Sequence, residues 1–447
     1  MSDPIEFLSH RGKPPRLVAL RRANGLLMVG LLAVFAFAGC SAGVGPTPSQ
    51  AATNALTSAP TAATSTTTAT PSPTATPAPT ATPAPTSTPG PAGFSATGSM
   101  AQVRTGHTAT LLSDGRVLIV GGGTYTTLLA SANLYDPATG KFSPTGSMAL
   151  PRIGHTATLL RDGRVLVAGG QENLTAPGTF PTYLASAELY DPATGKFSPT
   201  GSMALPRYGA TATLLLDGRV LMAGSLVFTD PLQPSYKVRS AELYDPATGK
   251  FTMTGSMSVD RVTHTATLLP GGRVLVTGGE SLRAEVVLGT GVLASADVYD
   301  PATGKFSPTG SMALDRTTHS ATLLASGLVL IAGGHDSTTR VVASAELYDP
   351  STGKFSPTGS MAQVRGRQSA TALADGRVLV LGGVDNSSVS LTSAELYDPA
   401  LGTFSAAGSL ASGRYSHTAT LLSDGSILIA GGEGDSGVVA SAELWRP

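Results

Sequence analysis

The sequence predicts an all-β fold, a closed ring of seven sheets, and three observations carry that expectation. One unit of 48 to 55 residues recurs seven times beyond residue 93, marked by Arg104, Arg152, Arg207, Arg261, Arg316, Arg365 and Arg414. Turn signals divide each unit into four short strands. The domain also opens with a lone fourth strand and closes with a lone first, second and third. A period near ~50 residues points to a solenoid or a propeller before other folds. Pairing the two loose ends makes a seven-bladed β-propeller with four antiparallel strands per blade, spanning residues 94–447.

The cleanest unit begins at Arg152 and reads RIGHTATLLRDGRVLVAGG, a variable loop, then SAELYDPATGKFSPTGSM. Its strands are named A to D in chain order. Strand A is HTATLL and strand B is RVLVAGG, joined by Asp-Gly (Asp114-Gly115, Asp162-Gly163, Asp217-Gly218), which supplies the positive φ values of a tight hairpin. Strand C is SAELY. The DPATGK that follows reverses the chain, with proline setting φ early and glycine free to turn left-handed late. Strand D, KFSPTGSM, carries Pro144, Pro199, Pro308 and Pro357 in four units, and a residue without an N–H is confined to an edge, so D is outermost. Strand A, rich in Ala and Thr, suits the crowded inner end. At the termini, Phe94–Met100 is expected to pair with the strand holding Glu443, Leu444 and Trp445. That closure would complete the last blade and remove two open edges.

An apolar strand ending in Gly-Gly, followed by an aromatic pair separated by six residues, resembles the kelch repeat across residues 94–447. The pairs run from Tyr135 with Phe142 to Tyr397 with Phe404. Two departures are visible: Phe stands where the family usually has Trp, and Gly224-Ser225 lacks the second glycine. The resemblance, distant to the propeller of galactose oxidase, implies either a binding module or a sugar-modifying enzyme, since kelch propellers include copper-radical oxidases and sugar epimerases. The oxidases require a Cys crosslinked to a Tyr.

Composition bounds the functions. Lys plus Arg and Asp plus Glu stand at 29 each, so no nucleic-acid footprint is expected. Only 13% of residues are charged while 53 are Gly, which suits buried strands and tight turns. The sole cysteine, Cys40, leaves no disulfide framework and no thiolate for an oxidase-like crosslink within the propeller.

Residues 1–40 place Arg11, Lys13, Arg16, Arg21 and Arg22 before an apolar run from Gly25 to Ala38, the order of a signal peptide. Phe37-Ala38-Gly39-Cys40 resembles the lipobox of bacterial lipoproteins, which implies lipidation at Cys40 and export to the outer face of a membrane, or secretion. Residues 41–93 are almost wholly Ala, Thr, Pro, Ser and Gly, a composition that makes no core and reads as a disordered spacer.

Candidate sites divide into repeated and unrepeated residues. His107, His155, His264, His319 and His417 share one repeat position, three after the Arg, and are read as structural. The repeated Arg either pairs with Glu188, Glu242, Glu346, Glu395 and Glu443 or presents charge at a channel mouth. Function is better sought where repeats differ. The B–C and D–A connections share one face, and the B–C loops are long only in blades two, three and four. They carry Glu172, Asn173, Phe180 and Tyr183, then Phe228, Asp230, Gln233 and Tyr236, then Arg283 and Glu285. Mixed aromatic and polar side chains suit a carbohydrate or protein surface. The expectation is a noncatalytic, monomeric binding module with no cofactor, metal or nucleic acid. The enzyme alternative, epimerase- or oxidase-like, has Glu172, Asp230, Glu285, His335 and Asp336 as acid–base groups, with no pair distinguishable. A third possibility is a scaffold for envelope proteins.

Overall fold

The computed structural model describes residues 93–174, 181–227, 236–281 and 291–447. The expected signal peptide, Cys40 and all of the spacer except Gly93 lie outside the described residues. The described chain forms seven four-stranded antiparallel sheets, and in every one the strands lie in the order A-B-C-D. In the first blade these are Thr108–Leu111, Val117–Val120, Ser131–Asp136 and Lys141–Ser147.

The B strand is the centre of each blade because it is apolar on both faces. Its first four residues are buried in every blade, from Val117–Val120 to Ile427–Ala430. The period-2 alternation of a strand then divides the core between two interfaces. Val117 and Ile119 face the seventh blade, packing with Leu422 and Leu428. Leu118 and Val120 face the second blade, packing with Val165 and Val167. Every blade is therefore a wedge that buries one face against each neighbour, at roughly 1.5–3 kcal/mol for each large apolar side chain taken from water.

The turns behave as read, with one correction. Leu112 N–H bonds Arg116 O at 2.8 Å while Gly115 N–H bonds Leu112 O at 3.0 Å, so the A–B loop has three residues, not two. Only Gly115 takes positive φ, at 85°. Asp114 contributes differently: its Oδ1 accepts from Arg116 N–H at 3.0 Å and holds the turn.

The aromatic pairs face one another across C and D in direct register, as Tyr135 opposite Phe142. Ring centroids are 4.8–4.9 Å apart in all six pairs. Each tyrosine also reaches the preceding blade. Tyr135 Oη lies 2.9 Å from Thr97 Oγ1 and Tyr190 Oη 2.9 Å from Thr145 Oγ1, a contact that recurs through Tyr397 and Thr358.

The ring closes where the termini meet. Gly93–Ala96 is the D strand of the seventh blade and pairs Ala442–Arg446, with Phe94 opposite Trp445 and Ala96 opposite Glu443. Trp445 takes the tyrosine position, and Ala407 takes the place of the threonine that would meet a hydroxyl. Its indole Nε1–H donates instead to Ala407 O at 3.2 Å.

Candidate functional site

The repeated arginines are structural clamps. None of the seven is more than 1% exposed. Arg152 shows the pattern: Nη1 donates to Gly169 O at 2.9 Å and Ser186 O at 3.1 Å, and Nη2 to Glu188 Oε1 at 3.0 Å. The other Glu188 oxygen accepts from Ala149 N–H at 3.0 Å. The side chain thus ties the ends of B and C to the segment entering strand A. Its own carbonyl accepts from Gly122 N–H of the preceding blade at 2.9 Å. A Cβ on the adjoining Gly121 would stand 2.6 Å from that carbonyl, so the close approach requires glycine.

Five of these pairs use the glutamates expected from sequence, and a sixth uses Asp297, bonded to Arg261 at 2.9 Å. The first blade departs: in place of a carboxylate, Arg104 Nη2 meets the neutral Asn133 Oδ1 at 3.0 Å, beside Ser131 Oγ at 3.2 Å. With no carboxylate to offset burial, desolvation pulls the Arg104 pKa down to about 10. Asn133→Glu would supply the missing charge. The expected result is a stabilisation on the order of 1–3 kcal/mol, the worth of a hydrogen bond to a charged group, read as a raised urea midpoint.

The five repeated histidines are fully buried and join blades. Their Nε2 atoms meet a hydroxyl on strand A of the preceding blade, as His155 meets Thr108 Oγ1 at 3.0 Å and His107 meets Thr418 Oγ1 at 3.1 Å across the closure. The Nε2 partner is a neighbouring side chain, and a backbone hydrogen bond also acts on His107, His155, His319 and His417. Burial, then the charge of the nearby Arg, depresses each pKa to about 3.

Of the residues predicted on the long loops, Phe180, Phe228, Asp230, Gln233, Arg283 and Glu285 lie outside the described residues, as does the side chain of Tyr236. Tyr236 begins the C strand Tyr236–Asp245, opposite Val227. Glu172 N–H bonds Thr182 O at 3.1 Å, and Asn173 Oδ1 accepts from Thr182 N–H at 2.6 Å, so both belong to the base of the second blade's loop. Tyr183 turns inward and stacks on Tyr208, with centroids 4.9 Å apart and planes 17° apart. Of the acid–base candidates, Asp336 is spent on its own turn, accepting from Thr338 N–H and Arg340 N–H at 2.9 Å.

A set of residues that the loop-length reading passed over gathers on the same face, around the axis. Two residues after each repeated Arg the chain takes a left-handed conformation: Gly106, Gly154, Gly209, Thr263, Thr318, Arg367 and Ser416 have φ of 51–68°. Backbone bonds run from blade to blade through them, with Gly154 N–H to Gly106 O at 3.2 Å, Arg367 N–H to Thr318 O at 3.1 Å and Ser416 N–H to Arg367 O at 3.2 Å. Six of these positions hold a small residue and one holds Arg367. Its guanidinium lies over the Tyr415 ring, 5.6 Å from the centroid, and its buried Nε has no hydrogen-bond partner among the described residues. Burial lowers its pKa against the raising fields of Tyr415, Glu280 and Tyr208, which belong to the seventh, fourth and third blades. A side chain that feels all three stands near the axis.

The residue after each Gly-Gly completes this mouth, bridged to the residue after the repeated Arg: Val262 to Glu280, Thr317 to His335 and Tyr415 to Glu433. Glu280 Oε1 accepts from Thr317 Oγ1 at 3.1 Å. His335 Nδ1 lies 2.9 Å from Thr318 Oγ1, and burial and then Arg367 depress its pKa to about 4. Burial lifts the Glu433 carboxyl to about 7. The mouth therefore offers a cation, the carboxyl groups of Glu280 and Glu433, an imidazole that burial holds neutral and tyrosine rings. Among the described residues no three His, Cys, Asp or Glu side chains stand together as a metal ion would need.

Comparisons with known proteins agree with this architecture. The Kelch motif matches residues 316–362 and 365–411, the fifth and sixth units. The fold also resembles a fungal alcohol oxidase of the AA5 family in complex with copper, with a TM-score of 0.63 at 19% identity over 80% of this chain and 76% of that one. A second solved structure, YjhT, gives a TM-score of 0.50 at 14% identity over 66% of this chain and 95% of that one. At such identities the likeness concerns the fold alone. The chain is a seven-bladed β-propeller whose fifth and sixth units match the Kelch motif. Spermatocyte protein spe-26 of Caenorhabditis elegans is 30% identical over 148 residues, 33% of this chain, and the match spans only 24% of that relative's length.

Proposed function

We propose that this propeller is a noncatalytic binding module that recognises carbohydrate or protein through the face carrying the B–C and D–A connections. The observation that carries the reading is where the repeats stop repeating. The opposite face presents near-identical hairpins, with Asp114, Asp162, Asp217 and Asp375 each paired to the arginine two residues on at 2.6–2.7 Å. The axial mouth instead holds a different side chain from nearly every blade, and the loops differ most on that side. Repetition serves packing, whereas local variety on a rigid scaffold is the usual setting of recognition.

Under the same proposal residues 1–40 export the chain, Cys40 carries the lipid, and residues 41–93 hold a monomeric propeller clear of the outer face of a bacterial membrane. Two measurements test the proposal. The full chain, solubilised in detergent, is expected to retain a discrete ligand on glycan arrays or in crosslinking on intact cells, without consuming it. Turnover of a sugar by the same preparation would overturn the noncatalytic reading. Cys40→Ser is expected to abolish incorporation of labelled palmitate, and undiminished incorporation would refute the anchor.

A further inference from the structure

Resting on that reading, we infer that the axial mouth is the specificity site and that its ligand is a neutral carbohydrate residue, held between the Tyr415 and Tyr183–Tyr208 aromatic surfaces with Arg367 and the two glutamates on its hydroxyls. The assignment starts from Arg367. A long side chain stands where the other six blades keep Gly, Thr or Ser, and its buried Nε makes no hydrogen bond among the described residues. Packing does not require it there, because the left-handed backbone ring is built equally well from Ser416 and Thr318.

The ligand class follows from the balance of groups. A site for a polyanion gathers cations, and a site for a cation gathers carboxylates. Here one guanidinium feels the Glu280 carboxyl, while burial lifts the Glu433 carboxyl to about 7 and holds the His335 imidazole down to about 4. The sum lies near zero. What the mouth holds in quantity is mixed hydrogen-bonding capacity: Arg367 only donates, the Glu280 oxygens accept, and a protonated Glu433 does both. Sugar hydroxyls each donate and accept, and the apolar faces of a pyranose lie on aromatic rings. Tyr183 and Tyr415 are both partly buried, and neither is wholly enclosed.

The test uses the full chain in detergent and three probes: neutral hexose oligosaccharides, oligogalacturonate, and an acidic glutamate-rich peptide. Variants borrow the residue found at the same position in another blade, so that folding is retained: Arg367→Ser after Ser416, Tyr415→Thr after Thr317, and Glu433→Gln after Gln171. A neutral oligosaccharide is expected to bind by calorimetry, and each variant is expected to weaken it at least tenfold while the thermal midpoint stays within a few degrees. Binding that survives all three variants would remove the axial assignment and leave the binding-face reading standing. Selective binding of oligogalacturonate or the peptide would overturn the neutral-sugar class. Failure of all three probes overturns the inference, and the array and crosslinking experiments above then decide the broader reading separately.

Discussion

Lowering the pH from 7.5 to 5 is expected to strip the propeller of most of its stability. His107, His155, His264, His319 and His417 are fully buried, and burial holds their pKa values near 3, against about 6.5 in an unfolded chain. Between those two values the unfolded state takes up protons that the folded state refuses, so stability rises with pH. The contribution is complete above the unfolded value and is lost as the pH falls below it. The limiting slope is about 1.4 kcal/mol per pH unit for each histidine. At pH 5 the five together remove on the order of 10 kcal/mol, comparable with the whole stability of an ordinary domain.

Glu433 works in the opposite sense, since its raised pKa favours the folded state at lower pH, but it is one group against the five and His335, whose pKa burial also depresses. Urea midpoints measured between pH 8 and pH 5 should therefore fall steeply below about 6.5. The sixth blade supplies the control. There Gln368 takes the histidine's place and donates from Nε2 to Ala332 O at 2.8 Å. His264→Gln and His319→Gln should each flatten the slope by about one proton's worth. A midpoint that holds constant from pH 7.5 to 5 would show that these rings are not held neutral.

The same residues show what could be read without coordinates. Strand order, edge position and closure were legible because each rests on chemistry confined to a few neighbouring positions: a proline without a donor, a turn glycine, a lone Phe94 strand that needs a partner. The Arg–Glu pairs were half legible. Their recurrence is visible, but Asp297 in SADVYD holds the same position with a shorter carboxylate, so residue type hides what position shows. For the same reason the mismatch of Arg104 with Asn133 went unnoticed.

The axial mouth was illegible for a different reason. Arg367, Glu280, His335 and Glu433 are separated by tens of residues, and only the ring brings them together. The available signal was the contrast within each repeat column, Arg against small residues two positions after the clamp, rather than the length of a loop. Loop length led instead to residues 172–183 and beyond, of which Tyr183 reaches the mouth by stacking on Tyr208.

Trp445→Ala is expected to cost about 3–5 kcal/mol, as large aromatic truncations in a packed core do. The indole is 3% exposed and packs among Leu396, Leu410, Ile427 and Ile429, so it belongs to the interface between the sixth and seventh blades as well as to the terminal seam. Trp445→Tyr is the more revealing change. In the other six blades the tyrosine hydroxyl meets a threonine of the preceding blade, but here Ala407 waits beneath the ring, so the new hydroxyl is buried without that partner. Adding Ala407→Thr restores the pair used elsewhere, and the double-mutant cycle should show a favourable coupling of about 1 kcal/mol. Because Gly93–Ala96 is a short strand paired to the chain's far end through Ala442–Arg446, loosening Trp445 should raise hydrogen exchange at Gly93–Ala96 before it does so in Val220–Val227, across the ring. Equal exchange at both places would mean that the closure is not the weak link, and that the ring opens by some blade interface other than the one its termini form.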